Sequence, residues 1–148
     1  LVPKRKLILG GIEIPHHYGL LGHSDADVLT HAVMDALLGA AALGDIGRHF
    51  PDHDTQYAGV SSMILLGDVM ELLRRDDWLV INIDATVIAE RPKLTNYIPE
   101  IRQSFSKHIG IPISHINIKA TTEEGLGFSG REEGIAAHAV VLLEKMQA

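Results

Sequence analysis

The sequence predicts an α/β fold of the α+β layer type, one sheet covered mainly on one face by helices. Three observations carry that expectation. The chain has 148 residues, 46% hydrophobic and 22% charged, which suits one domain with a real core. Apolar residues recur at helical spacing in three stretches, whereas other stretches alternate or are rich in Val and Ile. These two kinds of segment interleave along the chain, with no linker, repeat or low-complexity stretch to divide it.

Lys6 to Pro15 reads as two short strands around Gly10-Gly11, a bend or hairpin. HHYGLLGH is a loop. From Asp25 to Leu43, Val28, Leu29, Ala32, Val33, Ala36, Leu37 and Ala40 fall on one helical face. Ser24 with Asp27 three residues on fits a capping box at its start, a short Asp replacing the usual Glu. Asp27, His31 and Asp35 then share one face, which suits either a polar stripe at a core edge or a metal site. Residues 44 to 54 (GDIGRHFPDHD) form a Gly- and Asp-rich loop that Pro51 keeps from continuing the helix. A second helix runs from about Val60 to Arg75, with Met63, Leu66, Val69, Met70 and Leu73 inward. WLVINIDATVIAE (78–90) is a strand, RPKLTNYIPE a loop, and Pro99 to Ile109 a third helix. HINIKATT (115–122) is a strand leading into a glycine-rich stretch, and the Val-rich end, IAAHAVVLLEK, is a further strand.

Composition excludes several functions. A formal charge of −6 opposes a nucleic-acid or anionic-membrane surface. No apolar run reaches the roughly 20 residues of a membrane-spanning helix. With no cysteine there is no disulfide, thiolate nucleophile or Cys-type zinc site, so zinc would need His and carboxylate ligands. LVPKRKLILGG lacks a signal-peptide pattern and does not begin with Met, so further sequence is expected upstream of Leu1.

Three constellations could carry chemistry. Six of the nine histidines fall between His16 and His53, beside Asp25, Asp27, Asp45, Asp52 and Asp54, a pattern that fits a site and a polar surface equally. In TTEEGLGFSGREEG (121–134) four glycines, Thr121, Thr122, Ser129 and Arg131 offer donors for phosphate, or simply connect two strands. Glu123 and Glu124 would repel a phosphate unless a divalent cation lay between them. In AERPKLTNYIP (89–99) Pro92 fixes a turn after a strand and Lys93 extends a cation from it. No Ser-His-Asp order, P-loop or dinucleotide fingerprint is present.

Taken together, GLLGHSDADVLTHAVMDALLGAAALGDIGRHFPD, IAERPKL and IKATTEEGLGFSGREEGIA closely resemble the 2-C-methyl-D-erythritol 2,4-cyclodiphosphate synthases. The resemblance runs from Leu7 nearly to the end. It implies a mixed four-stranded-type sheet with helices on one face, assembled as a homotrimer with active sites between subunits. The implied reaction converts 4-diphosphocytidyl-2-C-methyl-D-erythritol 2-phosphate into the cyclic diphosphate and CMP, in non-mevalonate isoprenoid synthesis. The substrate's own 2-phosphate attacks the β-phosphorus, so no protein nucleophile is needed.

By the same resemblance His31 is a zinc ligand and Glu124 holds Mg²⁺ or Mn²⁺. His23 and Ser24 belong to a loop over the methylerythritol phosphate; Phe50 and Asp52 line the erythritol pocket; Asp45 and Gly47 contact ribose. Ala89, Pro92, Lys93, Leu94 and Thr95 form the cytosine pocket. Thr122 binds diphosphate oxygens, Phe128 contacts substrate, and Arg131 adds positive charge near the trimer axis. The implied setting is a bacterial cytoplasm or a plastid stroma. Two departures stand out. The family's Asp-x-His, which supplies the other two zinc ligands, does not precede LILGG, and His16 and His17 are poorly placed to replace it. That Asp-x-His is expected upstream of Leu1; its true loss would leave a non-catalytic trimeric nucleotide- or phosphate-binding homologue. Glu123 stands where relatives often carry Thr or Asn.

Overall fold

The computed structural model describes residues 1–51 and 54–147. Gly10 and Gly11 take φ of +60° and +77°, which glycine adopts without strain, and fold Leu7–Leu9 (β2) back onto Ile12–Ile14 (β3). A Cβ on Gly10 would lie 2.6 Å from Ile101, so this hairpin also needs glycine to pack against the helical layer. Val2–Pro3 (β1) pairs antiparallel with Tyr18–Gly19 (β4), a two-residue strand inside the expected loop.

Three helices carry the core: Val28–Ala40 (α1), Ser62–Arg75 (α3) and Ile98–Ile109 (α4). Single turns, Ile46–His49 (α2) and Gly127–Gly130 (α5), occupy stretches expected to be loops, since four residues are too few for apolar periodicity to show. In the main sheet Trp78–Ile88 (β5) is central, parallel to Ile116–Thr121 (β6) and antiparallel to Ala136–Lys145 (β7). It is mixed, as expected, but has three strands among the described residues rather than four. The N-terminal apolar segments are spent on the two small ribbons instead.

Helix α1 lies against β7 and β5, α3 against α1 and β5, and α4 against β6, so all three cover one face. Leu29, Val33 and Leu37 of α1, Leu66, Val69 and Leu73 of α3, and Ile101 and Phe105 of α4 are fully buried there. They meet Val80, Ile83, Ala85, Val87, Ile116 and Ile118 from the sheet. The inward face of α1 also takes Thr30, Met34 and Leu38, while Ala40, expected inward, is exposed. The opposite sheet face carries no helix and leaves Val140 and Leu142 of β7 72% and 57% exposed. Among the described residues, no helix is long and apolar enough to cross a membrane.

The start of α1 corrects the capping box. Asp27, not Ser24, is the N-cap: its Oδ1 accepts from Thr30 N at 3.0 Å, whereas the only backbone N–H on Ser24 Oγ among the described residues is that of Ala26, at 3.4 Å. Ala26 turns the chain at φ +57°, which delays the helix by three residues. Asp27 is fully buried and also takes Gly10 N and Gly11 N at 2.9 and 2.7 Å and Thr30 Oγ1 at 2.7 Å. It fastens the β2–β3 hairpin to α1. The stripe Asp27, His31, Asp35 thus divides into three roles, because exposed Asp35 accepts from Ile46 N at 2.9 Å and starts α2.

Candidate active site

A cavity of about 450 Å³ opens between residues 20–26, α1 and α2. Its wall brings together His23, Ser24, His31, Gly47 and Phe50, five of the expected site residues. Apolar neighbours, among them Leu21, Met34, Tyr57 and Ile135, surround them, a mixture suited to a ligand with few polar anchors. Phe50 is fixed edge-on to Tyr57, with ring centroids 5.4 Å apart. Asp45 lies at the same end and caps α2 by accepting from Arg48 N at 3.0 Å. Asp52, expected in the erythritol pocket, lies outside the described residues.

The loop over this cavity is tied on both sides. Arg5 donates to Gly22 O at 3.2 Å and to Ser24 O at 2.8 Å. His23 Nε2 pairs with Asp54 O at 3.0 Å, and Gly59 N donates to His23 O at 2.8 Å. Behind the loop, His31 Nε2 lies 3.0 Å from Ser62 Oγ and 3.2 Å from Ser24 Oγ. Ser62 is fully buried and bonds Asp25 twice, through Oγ to Oδ1 and through its N–H to Oδ2 at 2.9 Å. Sequence reading missed Ser62, which lies 31 positions from His31. The Ser-Ser pair before an amphipathic helix signals only a cap, a role that Ser61 fills by accepting from Met63 N.

The remaining expected residues form a second group at the carboxyl ends of β5 and β6, the end at which open α/β sheets place ligands. Ala89 N donates to Thr121 O at 3.0 Å and joins the 89–95 turn to the glycine-rich loop. Leu94 is buried; Pro92, after the cis Arg91–Pro92 bond, is half-buried, Lys93 is exposed, and Thr95 opens the turn of helix Thr95–Tyr97. Thr122 Oγ1 accepts from Glu124 N at 3.2 Å, and Glu124 is exposed in the left-handed region at φ +53°. Phe128 is 50% exposed and packs over Gly134.

Two expectations change here. Ser129 is buried, so it offers no surface donor, and Gly130 serves close packing: its Cβ would lie 2.2 Å from Gly125 C. Arg131 does not add free positive charge, because Glu133 pairs with it at 3.0 and 3.2 Å. None of this second group lines the cavity. Ile135, which follows the glycine-rich loop in sequence, lines the cavity.

Comparison with known proteins decides what this arrangement belongs to. Residues 1–144 match the YgbB family. A 2-C-methyl-D-erythritol 2,4-cyclodiphosphate synthase of Syntrophomonas wolfei is 58% identical over 141 residues, covering 95% of this chain and 90% of its own. The chain belongs to this synthase family. A solved 2C-methyl-D-erythritol-2,4-cyclodiphosphate synthase in a CDP-bound form superposes with a TM-score of 0.87 at 37% identity, over 96% of this chain and 92% of that one. The bifunctional IspDF of Campylobacter jejuni superposes at 0.94 with 41% identity, over 97% of this chain but only 39% of that longer one.

A cyclodiphosphate synthase is a lyase that forms 2-C-methyl-D-erythritol 2,4-cyclodiphosphate in isoprenoid precursor synthesis, and this chain is such an enzyme. The synthase family uses divalent metals. Among the described residues no three His, Asp or Glu side chains converge on a metal position. His31 fits as one imidazole donor on the cavity wall, since no hydrogen bond among the described residues involves its Nδ1. His16 and His17 do not fit: their groove is lined by Lys4, Arg5 and Lys6 against the single carboxylate of Glu13, a balance that disfavours a cation. Glu124 fits as a single exposed carboxylate for Mg²⁺, an ion that keeps waters and substrate phosphates as its other ligands.

Proposed function

We propose that the chain works as a homotrimer whose sites join the cavity of one subunit to the 89–95 and 122–131 loops of its neighbour. The observation that carries this reading is the separation of the two groups within one chain: five expected residues line the cavity and the other group lies outside it. The uncovered sheet face with Val140 and Leu142 exposed supplies apolar surface for the assembly.

In this reading His23 and Ser24 cover the methylerythritol phosphate and Phe50 lines the erythritol pocket. Asp45 and Gly47 hold the ribose. Ala89, Pro92, Lys93, Leu94 and Thr95 enclose the cytosine, and Thr122 and Phe128 contact the diphosphate end of the substrate. Arg131 pairs with Glu133 beside the glycine-rich loop. An oxygen of the substrate's 2-phosphate bonds to the β-phosphorus, and the bond from that phosphorus to the α-phosphate oxygen breaks. CMP leaves with the electron pair. The chain's contribution is orientation of two anionic groups in a site with apolar walls.

Bound Zn²⁺ and Mg²⁺ or Mn²⁺ would neutralise phosphate charge as Lewis acids. His31 would hold the first and Glu124 the second. The bacterial relatives favour a bacterial cytoplasm over a plastid.

Subunit complementation tests the shared site. At limiting Mg²⁺, His31→Ala and Glu124→Gln are each expected to be nearly inactive. Unfolded together in equal amounts and refolded, they should regain activity at about a quarter of the sites, those pairing an intact cavity with an intact glutamate. No gain over the separately refolded variants would reject a site shared between subunits.

A further inference from the structure

We propose that Asp25 and Ser62 are positioning residues that fix the proton of the His31 ring on Nε2. The proposal builds on the reading of His31 as the cavity's metal-binding imidazole. Ser62 has one hydroxyl proton and two neighbours that could receive it, the Asp25 carboxylate and His31 Nε2. A carboxylate accepts only, and a hydrogen bond to an ionised acceptor is about twice as strong as a neutral one, so the proton goes to Asp25. Ser62 Oγ is then left with lone pairs toward His31, 3.0 Å from Nε2. Only an N–H on Nε2 makes that contact favourable.

Ser24 Oγ, at 3.2 Å, can share the same N–H. The reverse arrangement, with Ser24 donating to a bare Nε2, leaves two lone pairs facing each other across the Ser62 contact. A neutral imidazole protonated on Nε2 carries its lone pair on Nδ1. Asp25 and Ser62 therefore prepare one particular nitrogen of His31 to bind a cation before the cation arrives.

Asp25 also holds the first turn of α3 through Ser62 N, which a purely structural role would explain. Ser62→Ala keeps that bond and removes only the relay. Asp25→Ala goes further: with the carboxylate gone, His31 Nε2 is the neighbour left to receive the Ser62 hydroxyl proton, which turns to it. This variant is expected to move the ring proton to Nδ1.

The readout is a long-range ¹H–¹⁵N correlation spectrum of the metal-free, full-length protein labelled at histidine, above the imidazole titration range. Wild type should show His31 protonated on Nε2, and Asp25→Ala should show it on Nδ1. Wild type protonated on Nδ1, or an unchanged tautomer in Asp25→Ala, overturns the proposal. In zinc titrations against a competing chelator, Ser62→Ala should weaken binding 10- to 100-fold and Ser62→Thr should restore it. Equal zinc affinity in wild type and Ser62→Ala also overturns the relay, provided that His31→Ala weakens binding. If His31→Ala leaves zinc affinity unchanged, the metal reading of His31 fails and the tautomer spectra alone decide the relay.

Discussion

Removing the Asp27 carboxylate should cost more stability than any other polar truncation near the cavity. Its two oxygens receive four hydrogen bonds at 2.7–3.0 Å: Gly10 N and Thr30 N on Oδ1, Gly11 N and Thr30 Oγ1 on Oδ2. In Asp27→Ala the Thr30 hydroxyl can turn elsewhere, but three backbone N–H groups lose their acceptor in or near the interior. Each unsatisfied donor costs about 1–3 kcal/mol. A water entering the vacated space would recover part, which leaves a net loss of about 3–5 kcal/mol, a large share of a domain's total stability. Urea unfolding at fixed protomer concentration measures it as a lower midpoint at unchanged slope. A loss below about 1 kcal/mol would refute the claim that this carboxylate joins hairpin to helix.

Asp27→Asn adds the pH dependence. Burial, the largest influence, holds the folded carboxyl above its ordinary value, against hydrogen bonds from Thr30, Gly11 and Gly10 that favour ionisation. The folded state therefore keeps a proton that the unfolded chain has lost, and wild-type stability falls as pH rises between the two pKa values. The asparagine lacks this titration, so its deficit relative to wild type should shrink across that window. A deficit that widens would mean that the hydrogen bonds outweigh burial.

Three further outcomes are expected. Arg5→Ala frees Gly22 O and Ser24 O and should raise KM more than it lowers kcat, because it loosens the loop that receives substrate; an unchanged KM would show that the loop needs no such tie. Glu124→Gln should lower turnover chiefly by weakening Mg²⁺ binding and recover at high Mg²⁺, so a loss that persists at saturation with unchanged affinity would contradict its assignment. Gly130→Ala places a Cβ within 2.2 Å of the Gly125 backbone and should displace the glycine-rich loop, seen as lower nucleotide affinity in calorimetry; wild-type affinity would show that the loop tolerates the shift.

Hydrophobic spacing made α1, α3, α4 and the three long strands legible to within a few residues, since each buries a periodic face. The α1 boundary was misplaced because two candidate caps stand three residues apart, and only the Gly10-Gly11 hairpin, distant in sequence, selects Asp27. Turns such as α2 and α5 are held by single contacts, such as Asp35 to Ile46 N, which leave no pattern in composition. Motif resemblance supplied the site residues, of which the fold sets His23, Ser24, His31, Gly47 and Phe50 around one cavity. Linear spacing could not supply the polar partners of His31. Ser62 arrives from another helix, and Asp25 reads as one more aspartate in a polar loop until its two bonds to Ser62 are seen.

The most direct test of the account is product release by the full-length enzyme. Incubated with 4-diphosphocytidyl-2-C-methyl-D-erythritol 2-phosphate, Zn²⁺ and Mg²⁺, it should release CMP and the cyclic diphosphate in equal amounts, resolved by ³¹P NMR. His31→Ala should abolish both signals together. No CMP above an EDTA control, or CMP released without the cyclic product, would contradict the assigned chemistry.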